Sequence, residues 1–391
     1  MADTNRLHSI NTSRILRTIW QNPGISRIKI AELLDLDRST VTKIMRVIFD
    51  HNLVVTIGKN KEQNGVGRRQ ICLKINEDIG VVLGMEIQDS RYTVVVTSVT
   101  GKILHAFDGL HEANRENLVG LILFLISRAK EWIVSQKLFL LGIGIGLPGL
   151  VDPYGGISIR SYSLQVHEPF DLHAELAKKC DEQIFIENDA NCCCWSELAF
   201  KLQDRSRNFI SVLGEFRDRC PESDEWHGIA IGVGIVIRER VLHGDHFTAG
   251  EFRSIRATRE TGQFSIPCDA MCSLPRNTEL LDSVYHELAD NLALLVNCVD
   301  FTKIVFAGDF AAYPGKLKEY MASAIVDNLL LDFDRNFIIE FSEYGNNSVA
   351  IGAAGLFVEK LFSVPDVADR FQEVVGYDLY EQILKRKENN C

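Results

Sequence analysis

The sequence of 391 residues predicts an α/β protein in which a small N-terminal helical unit precedes two larger halves. Apolar residues recur at helical spacing in the first 80 positions, whereas from Val81 apolar strand-like runs alternate with amphipathic helices. This alternation starts again near Phe209. Since the chain is too long for one ordinary core, we expect three units: residues 1–80, 81–200, and 201–391 with helices at the C-terminus.

Composition places the chain among globular proteins, with 46% hydrophobic and 24% charged residues. The longest apolar runs are well short of the roughly 20 residues that span a bilayer, and the polar start does not resemble a signal peptide. We therefore expect a cytoplasmic protein without membrane contact. Ten Cys, three of them contiguous at 192–194, do not form the spaced pattern of a disulfide scaffold.

Charge is distributed unevenly along the chain. Residues 1–80 carry 13 Lys and Arg against 8 Asp and Glu, although the whole chain has a net charge of −11. A contact with nucleic acid is therefore expected at the N-terminus alone.

Three short helices are predicted in this basic unit. The first covers residues 12–21 and ends at Asn-Pro-Gly, the second is capped by Ser26, and the third is capped by Asp37. The tight turn at 35–37 before the third helix is typical of a helix-turn-helix. Two strand-like runs, 53–57 and 70–75, surround a glycine-containing loop and predict a wing.

The third helix presents polar side chains opposite its apolar stripe, toward the end that such helices insert into the major groove. We predict DNA contacts from Arg38, Ser39, Thr42, Lys43 and Arg46, and from Arg68 and Arg69 at the tip of the wing. The alternative is a helical subdomain with a solvated basic face. Helices, wing and local charge together favour binding to double-stranded DNA.

The rest of the chain predicts two ribonuclease-H-like halves of the actin and hexokinase type. Strands at 81–87, 92–98 and 102–107 precede a helix at 117–134 and a strand at 139–146, and a helix and a strand then lead to Glu187. The second half has strands at 209–213, 229–237, 303–307 and 337–341, with helices between and after them. Two similar halves imply a cleft between them, which is a preferred place for small ligands.

A polar cluster, Glu-Asn-Asp-Ala-Asn at 187–191, ends the last strand of the first half. By themselves Asn188 and Asp189 predict a cap of the following helix. The chain resembles the ROK family (repressors, open reading frames, kinases), in particular its sugar-responsive transcription regulators of the NagC/XylR type. The resemblance rests on the order of several segments: Ser-Arg at 26–27, Thr-Val-Thr at 40–42, Gly-Arg-Arg at 67–69, Gly-Ile-Gly-Ile-Gly-Leu-Pro-Gly at 142–149, the cluster at 187–191, Gly-Ile-Ala-Ile-Gly-Val-Gly at 228–234, Ala-Gly-Glu at 249–251 and Ile-Gly-Ala-Ala at 351–354.

The resemblance implies a sugar site. Asp189 matches the aspartate that takes a proton from a sugar hydroxyl in family kinases. Asn188 and Glu251 match residues that hydrogen-bond sugar hydroxyls, and Gly149 lies in the turn on the same wall of the cleft.

Departures from the family pattern lie on the nucleotide side. Gln88 and Asp89 occupy positions where glycines let backbone N–H groups approach phosphates. The second phosphate loop, at 228–230, retains one glycine of its pair, and Asp309 with Phe310 adds bulk and charge near the expected adenosine pocket. We therefore expect neither ATP as a cofactor nor catalysis, with Asp189 as a vestigial base.

The zinc pattern of the family is also broken. Ser254 stands where the family has a histidine that also touches the sugar, and Cys268 and Cys272 lack the expected spacing. Tetrahedral zinc needs four ligands. We expect no zinc, and a site rebuilt with His243 or His246 is the minor alternative.

These observations predict a transcription regulator, a repressor, that binds a DNA operator and senses a sugar or sugar phosphate in a degenerate kinase cleft. We expect a homodimer or tetramer because the DNA operators of helix-turn-helix proteins have two-fold symmetry. The alternatives are an active sugar kinase with a DNA-binding extension, and a cleft domain that serves only for dimerisation or docking.

Overall fold

A computed structural model describes residues 2–59, 71–202, 206–217, 228–330, 336–365 and 374–389. The N-terminal unit has the expected helices and strands, but its first helix begins at Ala2, ten residues before the predicted start at residue 12. They are α1 (Ala2–Gln21), β1 (Ile25–Ser26), α2 (Arg27–Leu34), α3 (Arg38–Asp50), β2 (Val54–Lys59) and β3 (Ile71–Ile75), with the strands in the order β1-β3-β2. The predicted wing tip, Arg68 and Arg69, lies outside the described residues.

The caps of α2 and α3 differ from each other. Ser26 accepts a hydrogen bond from the Lys29 backbone N–H and so caps α2 as expected. Asp37 occupies the cap position of α3, but its side chain makes no capping hydrogen bond. The prediction that the Asp37 carboxylate caps α3 was therefore wrong, while the start of the helix was right.

The first of the two larger halves, which we call lobe 1, has its strands in the order β11-β7-β4-β5-β6, and the second half is called lobe 2. Its elements are β4 (Val81–Ile87), β5 (Arg91–Ser98), β6 (Ile103–Leu110), α4 (Leu118–Ser135), β7 (Leu140–Leu147), β8 (Leu150–Asp152), β9 (Ile157–Arg160), β10 (Phe170–Asp171), α5 (Leu172–Ala177), β11 (Ile184–Asn188) and α6 (Asp189–Phe200). The strands β8, β9 and β10 form a small separate sheet that the sequence did not reveal. Because β11 and β7 are parallel and adjacent, the polar cluster at the end of β11 lies beside the end of β7.

Lobe 2 repeats this connectivity in the order β14-β13-β12-β15-β16. Its elements are β12 (Phe209–Arg217), β13 (Gly228–Ile237), β14 (Arg240–Val241), α7 (Cys268–Met271), α8 (Thr278–Val299), β15 (Lys303–Gly308), α9 (Leu317–Asp327) and β16 (Ile338–Phe341). Like β4 in lobe 1, β12 pairs antiparallel with the next strand and parallel with a later one. The two lobes are therefore related repeats.

The helices α10 (Ser348–Phe362) and α11 (Gly376–Asn389) join the lobes to the N-terminal unit. Close backbone approach lets α10 lie against β4, β7 and α6: a Cβ at Gly144 would come within 1.8 Å of the Ala353 carbonyl oxygen, and one at Gly352 within 1.8 Å of the Cys192 carbonyl oxygen. Glycine is required at these packing positions because any side chain would push the helix away.

The core of the N-terminal unit continues into these helices. Buried residues of α1 and α3 share one apolar cluster with Phe362 of α10 and with Tyr377 and Tyr380 of α11. The Trp20 and Phe362 rings stack with centroids 5.3 Å apart. Of the helices in the described ranges, none combines the length and apolar character that a membrane crossing requires.

Candidate functional site

A cavity of about 360 Å³ opens between the two lobes, at the low end of the range that is typical of small-molecule sites. The four ligand-binding residues predicted from the sequence all line it: Gly149, Asn188, Asp189 and Glu251. They come from the β7–β8 turn, the end of β11, the start of α6, and the loop that follows β14. The fold thus brings together residues that are 102 positions apart in the chain.

Asn188 organises one wall of this cavity. Its Oδ1 accepts from the Asn191 backbone N–H at 3.1 Å, so the residue caps α6 as its type suggested. Its Nδ2 donates to the Gly149 carbonyl oxygen and to Asp189 Oδ1, both at 2.9 Å. One side chain therefore caps the helix and fixes the positions of two neighbours in the cavity wall.

Gly149 is required by the shape of that wall. Its φ is +93°, in the left-handed region that favours glycine, and a Cβ would lie 2.4 Å from the Arg160 carbonyl oxygen. The close approach brings the β7–β8 turn against the end of β9, where the following residues Ser161 and Tyr162 line the cavity.

Asp189 is the first residue of α6, and its Oδ1 also accepts from the Ala190 backbone N–H at 2.7 Å. Burial raises the pKa of Asp189 to about 8, and the nearby charge of Glu215 adds to the increase. The carboxyl group is consequently protonated for the most part at pH 7 and loses its proton near pH 8.

Behind this wall, Glu187 is fully buried and forms four hydrogen bonds. It accepts from the Asn188 backbone N–H and from the Asn191, Trp195 and His243 side chains, the last at 2.8 Å. Burial opposes the charged form, but His243 and these donors outweigh it and hold the pKa of Glu187 below its ordinary value. His243, considered from the sequence as a zinc ligand, is thus paired with Glu187.

A second polar group, which we call the hairpin cluster, consists of Glu86, Gln88, Arg91 and Glu215. It lies where the β4–β5 turn of lobe 1 meets β12 of lobe 2. Gln88 Nε2 donates to Glu86 Oε1 at 2.7 Å and also to Glu215 Oε1 across the lobes. Its Oε1 accepts from Arg91 Nε at 2.8 Å. The side chain that stands in place of an expected glycine is therefore a bridge between the lobes.

The two carboxyl groups of the hairpin cluster repel each other when both are charged. Burial raises the pKa of Glu86 well above its ordinary value, the charge of Glu215 raises it further, and Arg91 opposes both. The glutamine amide provides the donor that both carboxyl groups share.

The adjoining wall of lobe 2 is densely packed. Phe310 is fully buried, and a Cβ on Gly214 would come within 2.4 Å of its ring. Asp309 Oδ2 accepts from the Phe216 backbone N–H at 2.8 Å. The two residues therefore hold β12 in place beside the hairpin cluster.

Ser254, at the position of the family histidine, does not line the cavity among the described residues. It is buried, and its Oγ accepts from Asn291 Nδ2 and from the Arg256 backbone N–H. Within the described ranges, three or more His, Cys, Asp or Glu side chains nowhere gather as metal ligands would.

Several cavity residues were missed by sequence reasoning. The structure adds Ser161, Tyr162, Glu215, Arg217, Phe247 and Gln263. Glu215 and Arg217 lie at the end of β12. Strand ends at a cleft often carry ligand-binding residues, so this position could have marked them. Gln263 stands in no recognisable motif. Its side-chain oxygen accepts from the Ile231 backbone N–H, and its Nε2 donates to the Ile231 carbonyl oxygen.

On the N-terminal unit, the predicted DNA-contacting residues of α3 share one exposed face. Arg38, Ser39, Thr42, Lys43 and Arg46 are all exposed, whereas Val41, Ile44, Met45 and Ile48 are buried. The helix thus leaves its polar face open to a partner.

Comparison with known families gives two matches. Residues 82–272 match the model of the ROK family, and residues 9–55 match the model of the MarR family. Nearly all of lobe 1 and residues 201–272 of lobe 2 therefore fall within the ROK match.

Among curated proteins, the chain is similar to the xylose repressor of Caldicellulosiruptor bescii, with 27% identity over 64% of this chain and 59% of that protein. The xylose repressor of Bacillus subtilis is 26% identical over 64% of this chain and 61% of its own length. The chain thus spans about 60% of the length of these relatives. The transcriptional dual regulator NagC of Escherichia coli strain K12 is 22% identical over 91% of this chain and 94% of that protein.

Among solved structures, a ROK family transcriptional regulator described as a homolog of the E. coli MLC protein matches with a TM-score of 0.73 and 20% identity, over 97% of this chain and 100% of that one. A ROK glucokinase from Streptomyces griseus, in complex with glucose and AMPPNP, matches with a TM-score of 0.53 and 19% identity, over 71% of this chain and 99% of that one. Both likenesses concern the fold. Together with the MarR match at residues 9–55, the regulator, which covers 97% of this chain, confirms the predicted α/β class with an N-terminal winged helix and two lobes. The kinase, which covers 71% of the chain, agrees with the α/β class.

Proposed function

We propose that this chain, whose residues 82–272 belong to the ROK family, is a DNA-binding transcription regulator, a repressor, that senses a sugar in its interlobe cleft. The observation that carries the proposal is the physical continuity between the cleft and the winged helix. The exposed face of α3 and the cavity lined by Asn188 and Asp189 belong to elements that share packed cores. The relatives named as repressors support the same function.

One connection runs through α6 and α10. Asp189 begins α6, which packs closely on α10 at Gly352 and Gly355. At the other end of α10, Glu359 pairs with Arg17 of α1 at 2.7 Å. A displacement of α6 on ligand binding would therefore reach the first helix of the winged unit.

A second connection runs through α11. Arg386 donates to the carbonyl oxygens of Leu140 and Leu141 at the start of β7, the strand whose far end leads to Gly149 in the cavity. Tyr377 Oη lies 3.2 Å from His51 Nδ1, and Tyr380 Oη donates to the His51 carbonyl oxygen, just after α3 ends. We propose that ligand-dependent closure of the lobes repositions α3 through these contacts. The size of the effect is limited by how much more tightly the ligand binds one closure state than the other.

The DNA proposal is tested by fluorescence anisotropy with operator fragments from upstream of the coding sequence and of neighbouring genes. Specific binding should weaken as salt rises, because bound phosphates release counterions. Lys43→Ala and Arg46→Ala should each lower the affinity about 10-fold, the loss expected for a base or phosphate contact of about 1–3 kcal/mol. Lys179→Ala, an exposed lysine on lobe 1, is the matched control. Equal affinity of all four proteins would contradict the assignment of α3 as the recognition helix.

A homodimer or tetramer is part of the proposal, since two recognition helices are needed for a two-fold operator. Light scattering after size-exclusion chromatography measures the assembly directly. A monomer at the concentration that saturates the operator would contradict it.

A sugar kinase is the second candidate, because Asp189 faces the cavity with a pKa near neutrality, as a general base requires. A coupled assay for ADP release with hexoses and amino sugars decides between the two. We expect no sugar-dependent turnover; turnover that Asp189→Ala abolishes would overturn our interpretation. A domain that serves only for docking predicts operator binding that no sugar alters.

A further inference from the structure

The turn before α3 presents a carboxylate that the described part of the fold does not use. Asp37 occupies the cap position of α3, yet its side chain accepts no hydrogen bond from the helix. The residue is exposed, and within the described ranges its carboxylate forms no ion pair, even with the neighbouring Arg38. Aspartate at a cap position ordinarily bonds the helix backbone, so this side chain is free for another contact.

The position of Asp37 is unfavourable for binding DNA in general. It stands at the end of α3 that helices of this motif insert into the major groove. Phosphates of any duplex repel a carboxylate there, whereas residues 1–80 otherwise have an excess of Lys and Arg, 13 against 8 acidic residues. Such a side chain weakens non-specific binding, so its contribution to a regulator lies in selecting one base sequence over others.

Base edges in the major groove differ in the hydrogen bonds that they offer. Cytosine presents the donor N4 amino group alone, adenine presents the N6 amino group beside the acceptor N7, and guanine and thymine present acceptors. An ionised carboxylate is an acceptor only. It therefore matches cytosine, meets an additional acceptor on adenine, and is repelled by guanine and thymine.

The ordinary role of a carboxylate at this place is to stabilise the helix through its macrodipole. That role predicts a change in stability when the charge is removed, but no change in base preference. Asp35 allows the comparison, because it is exposed and lies two residues earlier in the same turn. Its φ of +52° is tolerated by asparagine, so Asp35→Asn removes one charge without new backbone strain.

We propose that Asp37 is a specificity-determining residue of the winged unit, and that its carboxylate accepts a hydrogen bond from the N4 amino group of a cytosine in each operator half-site. The inference rests on the proposed binding of DNA through α3. The basic residues of the exposed face supply affinity for phosphates and bases, and Asp37 supplies discrimination at one base pair.

Base-pair scanning with the full chain tests the proposal. A fragment that the wild type binds is compared by fluorescence anisotropy with duplexes in which each base pair is replaced in turn, and an unrelated duplex measures non-specific binding. For the wild type we expect one G·C pair in each half-site whose replacement lowers the affinity about 10-fold, as is typical of a single mismatched pair.

Two variants of Asp37 should change this pattern in different ways. In Asp37→Ala the preference at that pair should vanish; affinity for the operator should fall, and affinity for the unrelated duplex should rise because a repelling charge is lost. In Asp37→Asn the preferred base should become adenine, since an amide matches its N6 and N7 groups. Asp35→Asn should keep every base preference of the wild type.

The outcomes separate this inference from the proposed function. Base preferences that are the same in the wild type and in Asp37→Ala overturn the role of Asp37, even if the overall affinity changes, and leave DNA binding intact. Circular dichroism checks the fold; if Asp37→Ala is unfolded, Asp37→Ser, which can cap a helix, takes its place with the same expected loss of preference. A wild type that binds no fragment overturns the proposed DNA binding and this inference with it.

Discussion

The two ends of the interlobe cleft contain similar polar side chains and differ in what those side chains contact. At the end formed by Asn188, Asp189 and Glu251, which we call the open end, the side chains line a cavity. In the hairpin cluster, Glu86 and Glu215 are buried and share the amide of Gln88. The same acidic character thus leaves room for a ligand at one end and joins the two lobes at the other.

This difference agrees with our proposal that the cleft keeps a ligand site at one end and has a connection between the lobes at the other. A glycine at position 88 would leave both carboxylates without their donor, whereas glutamine satisfies them and fills the space. The predictions below test whether the two ends act separately, as ligand site and as lobe connection.

The largest effect is expected from Asp189→Ala at the open end. Above pH 8, where Asp189 is ionised, the variant loses a charged acceptor for a sugar hydroxyl, and hydrogen bonds to charged groups contribute about 1.5–3 kcal/mol. We therefore expect the affinity for the sugar that binds the wild type to fall about 10- to 150-fold in calorimetry above pH 8, with operator binding in the absence of sugar retained. Asp245→Ala, an exposed aspartate on the neighbouring loop, is the control. Equal sugar affinity in both variants would remove Asp189 from the site.

Gln88→Ala tests the hairpin cluster. Two buried carboxyl groups lose their shared donor, so the free energy of unfolding should fall by about 1–3 kcal/mol. Urea denaturation measures the loss, and Gln136→Ala, at the exposed end of α4, should change little. Unchanged stability of the Gln88 variant would show that the bridge contributes nothing to holding the lobes together.

The pH dependence of stability distinguishes the two ends further. The folded-state pKa of Asp189 is raised to about 8 from its ordinary value of 3.8, so the folded protein binds the proton more tightly than the unfolded chain. Stability from this group is therefore present below pH 4 and is lost as the pH rises through 8. Asp189→Asn should remove that loss and gain stability relative to the wild type across this window.

We expect a gain on the order of 1 kcal/mol, because water in the open cleft reduces both the cost of burying the charge and the repulsion from Glu215. Thermal melts at intervals between pH 4 and 9 measure it. The raised pKa of Glu86 acts in the same direction and should leave part of the slope in the variant. Parallel melting curves for both proteins at every pH would contradict the assignment.

Much of the fold could be predicted from periodicity and turn residues. The alternation of strands and helices predicted both lobes, and the helical spacing before Asn22 predicted the winged unit. The small sheet β8–β10 escaped prediction because its strands are two to four residues long and carry no period. Such short strands depend on tertiary contacts rather than on local pattern.

Of the candidate site, the residues in compact motifs could be predicted and the scattered ones could not. Gly149, Asn188, Asp189 and Glu251 stand in recognisable segments, and the structure places them around one cavity. The bridging role of Gln88 could not be predicted from the sequence, because its second partner, Glu215, lies 127 residues away along the chain. No spacing rule connects residues that meet only when two lobes close on each other.

The helix α11 has a consequence for the order in which the protein becomes complete. Tyr377, Leu379, Tyr380 and Ile383 finish the apolar core that α1 and α3 begin. During synthesis the N-terminal unit leaves the ribosome before α11, and about 300 residues separate the two. The apolar core of the winged unit is therefore completed only when α11 has been made, so a product truncated before α11 carries an incomplete winged unit.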